Sequence, residues 1–314
     1  MKILVTGSSG FIGTNLVNKI KKESLGYVYG IDKNPPQNTN ILPDKFILED
    51  ISSECFVENM ISSLCSEVDT IYHLAAQTSG RVSEESPRSD CFANCVGFSQ
   101  VLQLAEKISK NQKYPPKIIF TSSMAVYGSE LVPFNENSQL SPTSTYGASK
   151  VFGEMLLKKY ANQGGSWNAI RLFNCYGPWQ DMENHTQGMV SIFVQQAITK
   201  KEFFVTGSLE RTRDFIYIDD VIRIITSPNF LRLKNEIVNL CTGRETTVKT
   251  LIEKIANVYG ISNEDVTISQ LESHSGDMHR SVGCTQKLLN CLGQQKFTSL
   301  DEGLKSFKEF LDGK

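Results

Sequence analysis

The sequence predicts an α/β protein: a doubly wound parallel sheet with helices on both faces, followed by a smaller α/β lobe. Three observations carry this expectation. Short apolar runs alternate with longer amphipathic ones through the first half of the chain. The first run ends in a glycine-rich turn that opens a helix. Beyond about residue 174 the alternation loosens, with no repeat, low-complexity tract or long linker.

Taken in order, Lys2–Thr6 reads as a buried strand and Phe11–Lys21 as a helix. Tyr27–Ile31, Phe46–Leu48, Thr70–Leu74, Lys117–Thr121 and Asn168–Phe173 are further strands, with helices over Ser52–Ser66, Ser89–Ser109 and Ala148–Tyr160. The later part reads as helices over Gln187–Thr199, Thr247–Tyr259 and Leu300–Leu311, with short strands at Phe203–Val205 and Phe215–Ile218.

Composition narrows the function classes. The 314 residues carry 32 Lys+Arg against 34 Asp+Glu, a net charge of −2, so no basic field recruits nucleic acid or an anionic membrane. No apolar run approaches the roughly 20 residues that span a bilayer. The N-terminal apolar run breaks into Thr6-Gly7 after Ile3, Leu4 and Val5, too soon for a signal peptide. A soluble, cytoplasmic protein with a small-molecule substrate is expected. The eight cysteines (55, 65, 91, 95, 175, 241, 284 and 291) form no CxxC pair and are expected to be reduced and mostly buried. Four scattered histidines give no metal-ligand spacing, so no metal is expected.

Thr6-Gly7-Ser8-Ser9-Gly10-Phe11-Ile12-Gly13 places glycines at 7, 10 and 13 between strand and helix. The pattern suits a tight turn, a close approach of pyrophosphate to the amides around Phe11 and Ile12, and tight helix–strand packing. Asp32 follows the second strand, 19 residues after Gly13, where a carboxylate binds the adenosine ribose hydroxyls and repels a 2′-phosphate. Lys33 beside it leaves some NADP tolerance open. Asp50 and Ile51, after the third strand, fall where adenine would lie.

Tyr146 and Lys150 form YxxxK, one helical turn apart and on one face. Upstream, Ser122 and Ser123 stand at the C-terminal end of a strand, the edge at which ligands bind in a doubly wound sheet. A tyrosine works as a base only if its pKa falls from about 10 toward 7, roughly 4 kcal/mol in favour of phenolate. The Lys150 ammonium and a positive nicotinamide ring both favour that anion, and Ser123 can share the hydrogen bond of the hydroxyl being deprotonated.

Six segments then carry a resemblance: TGSSGFIG at 6–13, HLAAQ at 73–77, SSMAVYG at 122–128, YGASK at 146–150, RLFNCYGP at 171–178 and TRDFIYIDD at 212–220. The chain resembles an extended short-chain dehydrogenase/reductase of the nucleotide-sugar epimerase/dehydratase kind, almost end to end. The resemblance implies a Rossmann domain over 1–174, with segments near 212–245 returning to it, and a nucleotide-sugar lobe over 175–314. It implies NAD as cofactor, lined by Leu74, Ala75, Ala76, Asn94, Ser122 and Phe173 beside the glycine loop. It implies substrate contacts from Thr78, Ser123, Asn174, Met189, Val190, Thr206, Arg213 and Asp277, with Arg213 gripping the phosphates rather than pairing with Asp214. Trp179, Gln180, His185 and Gln187 could cover the substrate.

Departures from the family pattern leave the nucleotide open among uridine, thymidine, cytidine and guanosine. His274-Ser275-Gly276-Asp277 replaces a common Arg-x-Gly-Asp, and Thr206 replaces an aromatic that stacks on the base. Ser123-Met124-Ala125 stands where dehydratases of this kind carry Thr-Asp-Glu, which argues against elimination of water. A C4 epimerase, with Ser123, Tyr146 and Lys150 catalytic, is the expected activity. An NAD(P)-dependent 4-ketoreductase and a non-catalytic dinucleotide sensor are the alternatives. The resemblance also implies a homodimer, for which Phe92, Val96, Val101, Val151, Met155 and Leu156 could supply a face.

Overall fold

The structure, a computed structural model, describes every residue except 37, 65–66, 129–131, 187, 200–201, 263, 273–277 and 314. The elements of the first half are β1 (Lys2–Thr6), α1 (Phe11–Lys22), β2 (Tyr27–Asp32), β3 (Lys45–Leu48), α2 (Phe56–Ser63) and β4 (Thr70–His73). They continue through α3 (Gly80–Glu85), α4 (Pro87–Cys91), α5 (Gly97–Gln112), β5 (Lys117–Ser123), α6 (Thr145–Asn162) and β6 (Ser166–Leu172). The remainder supplies β7 (Asn174–Tyr176), α7 (Met189–Thr199), β8 (Glu202–Thr206), β9 (Thr212–Arg213), β10 (Phe215–Tyr217), α8 (Ile218–Ile225) and α9 (Pro228–Arg232). After these come β11 (Glu236–Leu240), β12 (Thr246–Thr247), α10 (Val248–Val258), β13 (Thr267–Leu271), α11 (Gln286–Leu292) and α12 (Leu300–Asp312).

The central sheet has the strand order β11-β6-β5-β4-β1-β2-β3, and its β5-β4-β1-β2-β3 pairs are parallel. The order reverses at β1, which pairs Thr6 with Ile31 on one side and with His73 on the other. Ligands bind at such a switch point because the flanking loops diverge there. Leu4, Ile31, Ile71, Ile118 and Ala169 from the strands pack with Phe56, Phe98, Leu104 and Leu157 from the helices. Helices on both faces explain why the central strands read as continuous apolar runs rather than alternating ones.

The chain divides into two compact units. One comprises Met1–Val126, Ser144–Arg171 and Leu231–Val238; the other comprises Tyr127–Thr143, Leu172–Phe230 and Asn239–Lys314. Against an expected first domain of 1–174 with segments near 212–245 returning to it, the first unit ends at Arg171, lacks Tyr127–Thr143 and takes in Leu231–Val238, which includes the start of β11, the strand that hydrogen-bonds to β6. In the second unit β7 pairs in parallel with β10, β8 in parallel with β13, and β9 antiparallel with β12.

Several elements differ from expectation; the helix expected from Ser52 begins at Phe56. The helix expected over Ser89–Ser109 is α4, a π-helical stretch at Phe92–Val96, and α5. One extra residue per turn in the π stretch re-aims the side chains within it, among them Asn94. The helix expected at Ala148 starts at Thr145, because the Ser144 hydroxyl caps it by accepting from Gly147 N at 3.1 Å. Tyr146 therefore lies in the first turn of α6. The cysteines also differ from expectation: of the seven described, all free, Cys241 alone is buried, while Cys55 and Cys91 are exposed. Cys65 lies outside the described residues. Among the described residues no helix is long and apolar enough to cross a membrane, and no cluster of three ligating side chains could hold a metal ion.

A buried ion pair joins α6 to the sheet. Arg171 on β6 donates to both carboxylate oxygens of Glu154 at 2.9 and 2.8 Å, and Ser122 Oγ donates to the same carboxylate at 2.6 Å. Both charged side chains are almost wholly buried. Removing one partner leaves a desolvated charge without compensation. Glu154→Ala is expected to cost about 3–5 kcal/mol of stability, measured by chemical denaturation.

Candidate active site

The glycine loop is built by backbone sterics. Gly7 has φ +72°, and a Cβ there would lie 2.6 Å from Ala75 N; a Cβ on Gly13 would lie 2.0 Å from Gly7 O. These two glycines are required by the turn and by the approach of α1 to it. Gly10 is different: its absent Cβ would meet only Gly7 O, at 3.4 Å. No chain atom forbids a side chain at Gly10, so the room lies on the open side of the loop. The N-cap of α1 is Gly10, which has no side chain to cap it, so among the described residues the first-turn amides at Phe11, Ile12 and Gly13 have no cap from that position. Uncapped amides at a helix N-terminus with an open glycine beside them fit a pyrophosphate.

Asp32 ends β2 against this loop, and backbone amides orient its carboxylate. Oδ2 accepts from Ser9 N at 3.0 Å and Oδ1 from Asn34 N at 2.9 Å, which leaves lone pairs for ribose hydroxyls. Leu74 N donates to Thr6 O, Ala75 N to Thr6 Oγ1, and Leu74, Ala75 and Ala76 are all half-exposed beyond the end of β4. Asp50 accepts from Ser52 N and Ser52 Oγ at 2.8 and 2.7 Å. Although burial raises its carboxyl, these bonds and Lys33 hold it below the usual range. Ile51 is buried in the core, and its side chain fills the space a Cβ on Gly97 would take.

Ser123, Tyr146 and Lys150 converge at the C-terminal end of β5. Ser123 Oγ accepts from Ala125 N at 3.1 Å, and Ser123 is near enough to Tyr146 to lower its phenol. Lys150 Nζ donates to Thr121 O at 2.9 Å and sits 5.7 Å from the Tyr146 ring centroid and 5.2 Å from that of Phe120. The electrostatics differ from the expected acidic phenol. Burial, with a smaller contribution from Asp90, pushes Tyr146 up to about 12 against Ser123, which lowers it. Burial pulls Lys150 down to about 8, with Asp90 and Cys95 opposing. The chain alone therefore does not make the phenol acidic; further positive charge at the site is needed.

Two expected ligand contacts are committed elsewhere. The Ser122 hydroxyl is spent on Glu154. Asn94 Oδ1 accepts from Gln77 N at 2.9 Å, while its Nδ2 lies within reach of Gln77 O, Asp90 Oδ2 and Ser149 Oγ at 2.9, 3.2 and 3.0 Å. Asn94 thus braces the loop after β4 against α6. Thr78 stands in that loop, half-exposed, between Gln77 and Ser79, whose hydroxyl caps α3. Sequence reasoning missed Asp90, whose one signal was its i,i+4 spacing to Asn94.

In the second unit, Asp214 is a hub. Its backbone oxygen accepts from Asn174 N and Nδ2, both at 3.1 Å. Its carboxylate accepts from Thr242 N and Oγ1, Gly243 N and Gly283 N. Arg213 is buried beside a second buried guanidinium, Arg211, which the sequence reading did not single out; burial and that neighbour pull Arg213 down to about 10. Thr206 ends β8 half-exposed, and Met189 begins α7 half-exposed, but Val190 is core. Phe173 is buried, its ring against Gly283. Trp179 packs edge-on to Phe310 at 4.8 Å, and His185 is an exposed loop residue. Gln187, His274 and Asp277 lie outside the described residues.

Residues 3–241 match the NAD dependent epimerase/dehydratase family. The chain belongs to that family. It is 30% identical over 329 residues to the UDP-glucose 4-epimerase of Mycolicibacterium smegmatis, covering 100% of this chain and 99% of the relative. Among solved structures, UDP-glucose 4-epimerase of Thermotoga maritima with UDP-glucose matches with a TM-score of 0.89 at 30% identity, covering 100% and 99% of the two chains. UDP-glucose 4-epimerase of Thermus thermophilus in complex with NAD matches with a TM-score of 0.87 at 26% identity, with the same coverage. The family also includes other reactions: a GDP-6-deoxy-D-talose 4-dehydrogenase of Aggregatibacter actinomycetemcomitans is 28% identical over 302 residues, 96% of this chain and 94% of that one. This member is an NAD-dependent nucleotide-sugar epimerase/dehydratase enzyme.

Gly10→Val is expected to weaken NAD binding at least tenfold, about 1.4 kcal/mol by titration calorimetry, while circular dichroism stays unchanged. Gly13→Val, blocked by the loop's own backbone, is expected to lower the melting temperature instead.

Proposed function

We propose that this chain inverts C4 of a nucleoside-diphosphate hexose, of the UDP-glucose/UDP-galactose type, through a transient 4-keto sugar. The observation that carries the reading is a buried Lys150, fixed on Thr121 O and 5.7 Å from the ring centroid of Tyr146, with Ser123 close enough to favour the phenolate. It stands in the same unit as the uncapped glycine loop and Asp32. The likeness to UDP-glucose 4-epimerases at about 30% identity supports the reaction class.

Gly7, Gly10, Phe11, Ile12, Gly13 and Asp32 would hold NAD, with Leu74, Ala75 and Ala76 beside it. When bound, it supplies a reversible hydride acceptor and a positive ring charge. The chain's own task is the proton. Ser123 polarises the C4 hydroxyl and Tyr146, as phenolate, removes its proton onto Oη; the same group returns it when the keto sugar is reduced. Lys150, fixed on Thr121 O, favours the phenolate against the burial that opposes it. Arg213 and Arg211 would hold the diphosphate while the sugar turns, with Thr206 and Thr78 as further contacts. No net oxidation occurs, so the cofactor can stay bound. Exposed Phe92 and Val96, beside exposed Phe152 and Met155 on α6, support a homodimer; Val101 and Leu156 instead pack into the core.

Incubation with UDP-glucose and no added cofactor, followed by NMR, is expected to yield UDP-galactose. Tyr146→Phe is expected to lower turnover by roughly 10²–10⁴-fold with NAD affinity retained. The relative that is a 4-dehydrogenase supports a second reading, a 4-ketoreductase. Stoichiometric consumption of added NADH with a 4-keto sugar nucleotide would favour it and set aside epimerisation.

A further inference from the structure

Among the described residues, Asp90 is one of the buried ionisable groups to which the mechanism gives no task. Asp90, the fourth residue of α4, is wholly buried. Its Oδ2 accepts from Gln77 Nε2 at 3.0 Å and from Asn94 Nδ2 at 3.2 Å, whereas Oδ1 has no hydrogen-bond partner among the described residues. A desolvated carboxylate with one oxygen unsatisfied is costly unless a positive charge shares its surroundings. Burial raises the Asp90 carboxyl, Ser149 and Asn94 lower it, and Lys150, the residue after Ser149 on α6, adds a positive charge that Asp90 in turn favours. The link is also structural. Asn94 bonds Ser149 Oγ at 3.0 Å, and Ser149 Oγ donates to Tyr146 O at 2.8 Å, so Asp90 is tied to the turn of α6 that carries both Tyr146 and Lys150.

We propose that Asp90 is the buried counter-charge of the Tyr146–Lys150 pair, a positioning residue that keeps the Lys150 ammonium charged inside the fold and sets the pH range in which the pair works. It rests on Tyr146 being the base of the proposed reaction, but its electrostatics do not. The other titratable groups around it do not replace it. His73, whose imidazole bonds Thr6 Oγ1, is held neutral by burial, down to about 3. Burial pushes the Cys95 thiol, beside Cys91, up to about 11. Glu154 is paired with Arg171, and Glu84 is exposed, accepting from Thr145 N.

The sign follows from the charge. Asp90 raises the proton affinity of both Tyr146 and Lys150. In Asp90→Asn both should titrate at lower pH. Carbon-13 NMR of lysine-labelled protein without ligand, with the Lys150 signal assigned by its loss in Lys150→Arg, should give a midpoint near about 8 in the parent. In Asp90→Asn it should fall by about one pH unit, a tenfold loss of proton affinity. Both limbs of the turnover profile should slide toward acid, with KM for the sugar nucleotide unchanged. A Lys150 midpoint that stays put in folded Asp90→Asn overturns the proposal. Turnover reduced equally at every pH with the limbs unmoved also overturns it, because a merely structural role would do that. If Asp90→Asn does not fold, Asp90→Ser is read in the same way; failure of both to fold assigns Asp90 to the fold alone and overturns the proposal. The NMR titration needs neither NAD nor sugar. A shifted midpoint in a protein that epimerises nothing would uphold the role of Asp90 and remove the proposed reaction.

Discussion

The bidentate contact between Arg171 and Glu154 is the interaction on which the rest of the first unit depends. Glu154 lies one helical turn beyond Lys150 and two beyond Tyr146, so whatever fixes Glu154 fixes the face of α6 that carries the pair. Ser122 joins the same carboxylate from the strand residue next to Ser123. One charge cluster therefore registers the helix bearing Tyr146 and Lys150 against the strand bearing Ser123. A buried ion pair of this kind contributes little net stability compared with an apolar substitute, yet it admits only one geometry, since any slippage leaves a charge uncompensated.

That rigidity matters because the site is electrostatically opposed to its own chemistry. Burial disfavours both the phenolate and the ammonium, and the backbone carbonyl of Thr121, not the phenol, receives a Lys150 proton. Only added positive charge moves Tyr146 toward its useful form. Were Tyr146 the base of the proposed reaction, its inertness until a cationic cofactor is seated would keep it from deprotonating hydroxyls at random. The glycine loop offers the place for that cofactor by the same economy of atoms: two glycines are demanded by the chain's own backbone, and one leaves room outside it.

The second unit uses the opposite strategy. Asp214 gives its carboxylate to Thr242, Gly243 and Gly283 and so organises loops rather than neutralising the arginine next to it in sequence. Arg213 and Arg211 are two buried guanidiniums whose like charges act on each other. The proposed diphosphate contact rests on this pair and carries no information about the base or the sugar attached to it.

The sequence by itself determined the sheet, the glycine loop, Asp32 and the Ser123–Tyr146–Lys150 set, because each depends on local pattern: apolar runs, turn sterics and one-turn spacing. What it could not contain were relations between distant segments. Strand β11 lies in the stretch expected to return to the first domain, but its pairing with β6 at the edge of the sheet is visible only in the structure. The break of the Ser89–Ser109 helix into a π stretch, the use of Asn94 as a brace and the burial of Asp90 all arise from packing that region against α6. The high pKa of Tyr146 is the clearest case. Residue types suggest an acidified phenol, but desolvation is a property of the assembled surroundings, and only the tertiary structure decides how much water and how much charge a side chain retains.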